Sequence, residues 1–573
     1  MIVYDDRSQL CRGTDAWQSL ADHANPTEGL IGLGIFESAV ADALCPERDD
    51  FHPLLRRLRA ISELLGVAAA AQWRRDIEAS AKAAADAMRQ RAELAVERWP
   101  DLRLKTPEGY AFYSLYPEMY ADAVSAWANR VRPARVLCLG LRSIGASLSA
   151  IVAGVLRLHG IEVTSWTLRP RGHPFDRRIE WTRDLVAALR PANATVLIVD
   201  EGPGLSGSSM TGTADALSSV GVPDEQIVFV PSWSPSPDRF KSRAAAARWP
   251  RHELIVPTFD TIRRALAAEG IVTDGTREIS GGAWREWLAL PQPWPAVHPQ
   301  HERRKFVDSR IRPGASGGRE AMVARFAGLG AYGRHSMERA TALADARWAP
   351  TPIALRRGFL LSPVVNGRPM SAADVSDEFL RHAAGYVAWL RAHATERSVA
   401  RTDTLAAMLH ANAREAFGDA ALGAIALLSR QAATFTEPAT RIDGRLMPHE
   451  WMVSGAGWIK TDALDHHRDH FFPGCADAAW DVAGLIVEFE LEQPSADAVI
   501  TEYERESGDA TIRRRLRFYT AAYTAFRAGY CTMAAEALAQ TDEGPRFAER
   551  NMYYRAALEA TLASARRPAA SAR

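Results

Sequence analysis

The sequence predicts an α/β protein with two main domains: a doubly wound parallel sheet behind a helical N-terminal extension, followed by an α+β bilobal domain. Three observations carry this prediction. At 573 residues the chain exceeds what a single hydrophobic core supports. Five short apolar runs, at 135–140, 161–168, 194–199, 226–231 and 253–257, alternate with helical segments, as parallel strands joined by right-handed crossovers do. Residues 290–300 hold four prolines, a composition that extends the chain into a semi-rigid spacer. The expected order is a helical region at 1–105, the parallel-sheet domain at 106–290, a Pro-rich linker at 291–300, the bilobal domain at 301–564 and a disordered tail at 565–573.

Composition narrows the functional classes. Lys plus Arg equals Asp plus Glu at 69 each, so there is no global positive field of the kind nucleic-acid binding relies on. The five cysteines are scattered and never form a CxxC pair, which argues against a disulfide framework and a structural zinc site and fits a reducing, cytoplasmic setting. No apolar run reaches the length of a membrane helix. Neither a nucleic acid nor a membrane is expected as a partner.

Residues 1–105 carry helical periodicity and read as scaffold. The first strand, 135–140, runs into a turn bearing Arg142, Ser143, Gly145 and Ser147, residue types suited to an anion at a strand's carboxyl end. The second strand opens onto a loop with Arg169, Arg171, His173 and Arg177, and guanidinium forks match phosphate oxygens. The third strand is an apolar run without alternation, suited to burial on both faces, and it ends at Asp200 and Glu201. Such paired carboxylates can accept hydrogen bonds from vicinal hydroxyls or hold Mg²⁺. Leu205, Ser206, Gly207, Ser208 and Ser209 then lead into a helix and offer backbone N–H groups and hydroxyls to a phosphate. Trp233, after the fourth strand, is placed to stack on a base.

This succession resembles the phosphoribosyl pyrophosphate (PRPP) motif of type I phosphoribosyltransferases. The resemblance implies a parallel sheet of that type, with Asp200 and Glu201 on the ribose, the 205–209 loop on the 5-phosphate, and Arg142, Ser143, Gly145, Arg169 and Arg171 at the pyrophosphate. Gly202-Pro203-Gly204 departs from the family's usual aliphatic and hydroxyl residues.

After the spacer come strand-like runs at 303–311 and 321–327, a Gly-rich turn at 314–318 and a helix near 334–347. Asp443 and Asp462 stand nineteen residues apart, the second just beyond a strand-like run, and Asp477 and Asp481 follow in 477–484. The segment 358–370, the Asp pair and the Asp477-Ala-Ala-Trp-Asp481 run together resemble kinases of the aminoglycoside phosphotransferase type. There one acid meets the acceptor hydroxyl and the other holds Mg²⁺ against the phosphates of ATP. The resemblance implies a catalytic Asp443, a metal-binding Asp462 and a loop-steadying Asp481. Pro448 stands where a metal-binding Asn belongs, leaving His449 or Glu450 as substitutes. The expected strand lysine is replaced by Arg325 or Lys305, with Glu338 as its helix partner. The cluster 465–470, rich in Asp and His, offers further metal-ligand side chains.

Two functions follow as expectations. One is a phosphoribosyltransferase-like enzyme that uses PRPP and Mg²⁺ to modify a small-molecule acceptor, fused to a kinase-like domain that binds ATP. The other is a nucleotide- or PRPP-binding sensor or scaffold without turnover, suggested by the missing lysine and asparagine and by Gly-Pro-Gly in place of the family's usual residues.

Overall fold

Strands β1 (Arg135–Leu141), β2 (Glu162–Leu168), β3 (Thr195–Val199), β4 (Ile227–Val230) and β5 (Glu253–Leu254) pair in parallel in the order β2-β1-β3-β4-β5. They belong to a computed structural model that describes residues 1–5, 8–20, 25–308, 321–455 and 457–565. The chain divides into two compact units, Arg7–Ile271 and Met1–Asp6 with Val272–Arg573. The Gly-rich turn at 314–318 and most of the 565–573 tail lie outside the described residues.

In the first unit, Val196, Leu197, Ile198 and Val199 are fully buried, which explains why β3 reads as an unbroken apolar run. Beside it, Gly140 and Gly145 bring the β1 turn back against the sheet. A Cβ on Gly140 would lie 2.2 Å from the Gly145 carbonyl oxygen, and one on Gly145 would lie 2.7 Å from that of Val199. Helix α1 (Pro26–Leu44) and helix α2 (Pro53–Trp73) share this unit's core, where Leu33, Phe36, Leu58 and Ile61 join Leu137, Leu139 and Trp166. Apart from its first six residues, the 1–105 region is therefore part of the same body as the sheet. Helix α2 crosses helix α3 (Gly145–Leu158) backbone to backbone at Gly66 and Gly154: a Cβ on Gly154 would lie 2.4 Å from the Gly66 carbonyl carbon. Arg59, 1% exposed, ties the layers together. It donates to Ser165 Oγ at 3.0 Å, Ser149 Oγ at 2.8 Å and the Ala146 carbonyl at 2.8 Å, beside Glu37.

The second unit carries an antiparallel sheet of β6 (Thr276–Glu278), β7 (Lys305–Asp308), β8 (Met322–Phe326), β9 (Ala354–Arg356) and β10 (Phe359–Pro363), ordered β6-β7-β8-β10-β9. A second sheet orders β11 (Gly367–Pro369), β12 (Trp451–Ser454) and β13 (Gly457–Lys460) consecutively. Helices α5 (Ala331–Asp345), α6 (Asp377–His393), α7 (Ala479–Glu488), α8 (Ile512–Ala537) and α9 (Glu543–Ala565) supply most of the remaining structure. α4 (Ser208–Ser219) follows β3 in the first unit. The helical core is aromatic, with Phe379, Tyr386, Trp480, Tyr519 and Tyr523 all buried.

The Pro-rich stretch is not a spacer here. Val297 N donates to Glu543 Oε2 at 2.8 Å, and Arg285 pairs with Glu543 at 2.7 Å. Trp294 lies under the Arg285 guanidinium at 5.0 Å. With β6 paired to β7, the division falls between Ile271 and Val272 instead of at 291–300. The first residues also belong to this unit: Ile2 N donates to Asn412 Oδ1 at 2.6 Å, and Phe472 N donates to the Val3 carbonyl at 3.2 Å. Among the described residues no helix is long and apolar enough to cross a membrane.

Candidate active site

In the second unit, β13 ends at Lys460 and the chain turns so that Asp462 comes to face the loop that bears Asp443. That loop is fixed by Asp481 at the start of α7, whose two carboxylate oxygens accept from Asp443 N and Gly444 N at 2.8 Å each. Burial, followed by the charge of Asp443, pushes the Asp481 pKa up to about 7. Asp443 has no exposed side-chain surface. Its Oδ2 accepts from Tyr386 OH at 2.8 Å and lies 3.3 Å from Lys460 Nζ, while Oδ1 accepts from Arg445 N at 3.3 Å. Burial alone would raise its pKa, but Lys460 and His466 outweigh it and hold the carboxyl below its ordinary value.

Glu450, Asp462 and His466 each present a ligand atom within 4.8 Å of the others. Two carboxylates and an imidazole suit a hard or borderline divalent cation such as Mg²⁺ or Mn²⁺. His449 takes no part in this group. Its ring stacks on Trp284 with centroids 5.0 Å apart, and burial pushes its pKa down to about 3. Of the two expected substitutes for the missing asparagine, Glu450 stands beside Asp462 and His466, whereas the loop turns His449 into an aromatic contact. The rest of the 465–470 cluster is structural: Arg303 Nε donates to Asp465 Oδ2 at 2.9 Å and its Nη2 to Asp469 Oδ2 at 3.2 Å.

Arg325 on β8 stands where a strand lysine was expected. It donates to Asp462 Oδ1 at 3.0 Å and Asp465 Oδ1 at 2.8 Å. Among the described residues its Nε and Nη1, and Nε of Arg445, are buried without an acceptor. Lys305 Nζ lies 3.9 Å from Asp462 Oδ2. The helix residue that reaches the loop is Arg339 rather than Glu338: it donates to the carbonyls of Ala463 at 2.6 Å and Arg441 at 2.7 Å. A cavity of about 180 Å³, with Val323, Leu360, Val364 and Met452 on its walls, opens onto Arg325 and Asp462. A second, of about 90 Å³, shares those polar groups and is lined further by His301, Met447 and Tyr530. Sequence reasoning missed Lys460 and Tyr386. Period-two alternation on β13 places Lys460 on the same face as Trp458, and that was the available signal.

The first unit distributes its expected residues differently. Arg142, 4% exposed, donates to Asp42 Oδ1 at 3.0 Å and Asp49 Oδ1 at 2.6 Å. Arg169 pairs with Asp42, and Arg171 Nη1 lies 3.1 Å from Asp49 Oδ2. The three arginines expected to hold pyrophosphate are thus paired with two acids of the helical region, Asp42 and Asp49, which offset part of their charge. Ser143 accepts from Ser38 Oγ through its carbonyl, and Gly145 serves the close packing of the β1 turn. The expected phosphate loop is likewise engaged. Ser206 Oγ and Ser208 Oγ donate to the Pro174 carbonyl at 2.8 and 2.7 Å, Leu205 is 61% exposed, and Gly207 takes a positive φ of 67° with Phe240 against it. Ser209 spends its carbonyl on Thr213 within α4.

Asp200 and Glu201 do stand at the carboxyl end of β3. Asp200 Oδ1 accepts from Glu201 N at 2.8 Å, and the bare Cα of Gly109 makes room for the Glu201 carboxyl. Burial pushes Asp200 up to about 7; burial, then the charges of Glu108 and Asp200, push Glu201 up to about 8. The folded chain keeps these protons where the unfolded chain has released them. The associated stability is fully present below about pH 4 and is lost as pH rises through 7 to 8. Asp200→Asn with Glu201→Gln is therefore expected to melt higher than wild type at pH 8 and to match it near pH 4. A variant that melts lower at pH 8 would mean that the carboxylates are paired within the fold.

No family model matches this chain. No curated protein matches it either. Among solved structures it is similar to a choline kinase from Streptococcus pneumoniae (14% identity, TM-score 0.32, 45% of this chain and 89% of that one). It is also similar to a choline/ethanolamine kinase family protein from Mesorhizobium loti (14%, 0.34, 49% and 98%) and to a thermostable mutant of an aminoglycoside phosphotransferase (12%, 0.34, 53% and 99%). The phosphoribosyltransferase assignment of the first unit has no support from these likenesses.

Proposed function

We propose that the second unit is a divalent-cation-dependent phosphotransferase that moves the terminal phosphoryl group of a nucleoside triphosphate, such as ATP, to a hydroxyl of a small acceptor. The observation that carries this reading is the convergence, on the wall of the smaller, 90 Å³ cavity, of the Glu450, Asp462 and His466 ligand atoms with buried guanidinium N–H groups that lack acceptors among the described residues. Orphaned charged donors at a polar cavity wall call for an anion, and phosphate oxygens match a guanidinium fork.

Glu450, Asp462 and His466 would hold the cation, which when bound neutralises phosphate charge and lowers the barrier to its transfer. Arg325 and Arg445 would orient the phosphate oxygens. Asp443, held ionised by Lys460 and fixed by Asp481, would accept a hydrogen bond from the acceptor hydroxyl and take its proton as the new P–O bond forms and the bond to the departing nucleoside diphosphate breaks. The apolar wall of Val323, Leu360 and Met452 would take the base.

A second reading rests on Asp443 having no exposed surface. Such a centre would bind nucleotide without turnover, as a sensor. Melting the full chain with and without Mg·ATP tests the binding step, since a ligand at a hundred times its Kd adds about 2.7 kcal/mol. A shift confined to conditions with both cation and nucleotide is expected. Absence of any shift at millimolar Mg·ATP would end the phosphotransferase reading. A shift with no ADP release across a panel of hydroxyl compounds would favour the sensor.

A further inference from the structure

We propose that Lys460 is a built-in cation of this centre, taking the place of a second divalent ion, so that the site binds one metal ion and not two. The inference rests on the phosphotransferase reading above. Three acids, Asp443, Glu450 and Asp462, crowd the cleft; Arg325, Lys305 and Arg445 approach Asp462 and Glu450 from its rim, only the Lys460 ammonium among the described residues bridges Asp443 and Glu450, and phosphate oxygens would add further negative charge. A site of this density recruits cations until its charge is offset.

The protein supplies one of them covalently. Lys460 has no exposed side-chain surface, so its ammonium cannot relax into water. β13 fixes it: Lys460 pairs in register with the fully buried Trp451, and its own N–H donates to the Trp348 carbonyl at 2.9 Å. Nζ lies 2.8 Å from Glu450 Oε2, 3.3 Å from Asp443 Oδ2 and within hydrogen-bond reach of the Asp462 carbonyl. Those three acceptors match the three protons of an ammonium.

The consequence for metal binding follows from counting oxygens. Asp443 Oδ2 is taken by Lys460 and Tyr386, and Oδ1 by Arg445 N, so this carboxylate has little left for a cation. Glu450 gives Oε2 to Lys460 and keeps Oε1 for other partners, with Arg445 Nη2 at 3.4 Å. Pro448, in the same loop, has no side-chain ligand atom. Among the described residues the ligand atoms that remain, on Glu450, Asp462 and His466, form a single group.

The test counts bound Mn²⁺ by electron paramagnetic resonance of the free ion, with full-length protein and a non-hydrolysable ATP analogue. Wild type should bind one ion per chain, Lys460→Arg should also bind one, and Lys460→Gln, shown folded by circular dichroism, should bind two. Two ions in wild type would overturn the proposal without reference to any variant. So would two in Lys460→Arg, or an unchanged count of one in folded Lys460→Gln. If Lys460→Gln does not fold, the wild-type and Lys460→Arg counts decide. No bound ion and no bound nucleotide in wild type would remove the phosphotransferase reading and this proposal with it, an outcome distinct from a count of two.

Discussion

Arg515→Ala is expected to destabilise the second unit by about 3–5 kcal/mol, the usual cost of removing one partner from a buried ion cluster. Arg515, 2% exposed on α8, donates to Asp477 Oδ2 at 2.5 Å and Asp509 Oδ2 at 2.6 Å. Asp477 Oδ1 in turn accepts from Ala479 N at the start of α7. Without the guanidinium, two buried carboxylates lose their counter-charge, and the turn that positions Asp481 loses its anchor. Hydrogen exchange on the full-length variant should show lost protection in α7 and α8 while β1 to β4 stay protected. Arg515→Lys, which keeps the charge but not the fork, should fall between the two. A change below about 1 kcal/mol would mean that water or other groups replace the arginine.

Asp462→Asn is the second large effect. The variant should bind Mg·ATP on the order of a hundredfold more weakly, because it removes the carboxylate that pairs with Arg325 and that the proposed cation would use. Metal-free ATP should bind no worse, and even more tightly, since Arg325, Lys305 and Arg445 would then face the phosphates with one acid fewer. Calorimetric titrations with and without Mg²⁺ separate the two effects. Equal weakening in both conditions would place Asp462 in the structure of the cleft and not in its cation site.

Local pattern made part of this arrangement legible. The unbroken apolar run of β3 and the spacing of Asp443, Asp462 and Asp481 depend on a strand, a hairpin and a helix start, all set by neighbours in sequence. The fate of the arginines was not legible. Arg142, Arg169 and Arg171 find Asp42 and Asp49 across roughly a hundred residues of chain, and an Arg-rich loop reads the same whether its charge awaits a ligand or is already matched. His449 failed for a related reason. Its place in sequence beside Glu450 says nothing about Trp284, on which its ring stacks. The Pro-rich segment misled because prolines fix local extension but not what the extended chain packs against, here Glu543 and Arg546.

The placement of Ile2 and Val3 within the second unit has a consequence for how the chain folds. To that unit, all of Arg7–Ile271 is a single loop between its first residues and its first sheet strand. Closure entropy grows only with the logarithm of loop length, about 0.6 kcal/mol per doubling, so an excursion half as long would cost nearly as much at equilibrium. What the extra length costs is time. Ile2 and Val3 wait for Asn412 and Phe472, made long after them, before their hydrogen bonds can form. During synthesis the first unit has its whole sequence available well before the second does. Cutting the chain at the boundary between the units would therefore not yield two intact bodies, because the second would lack the backbone partners of Asn412 and Phe472.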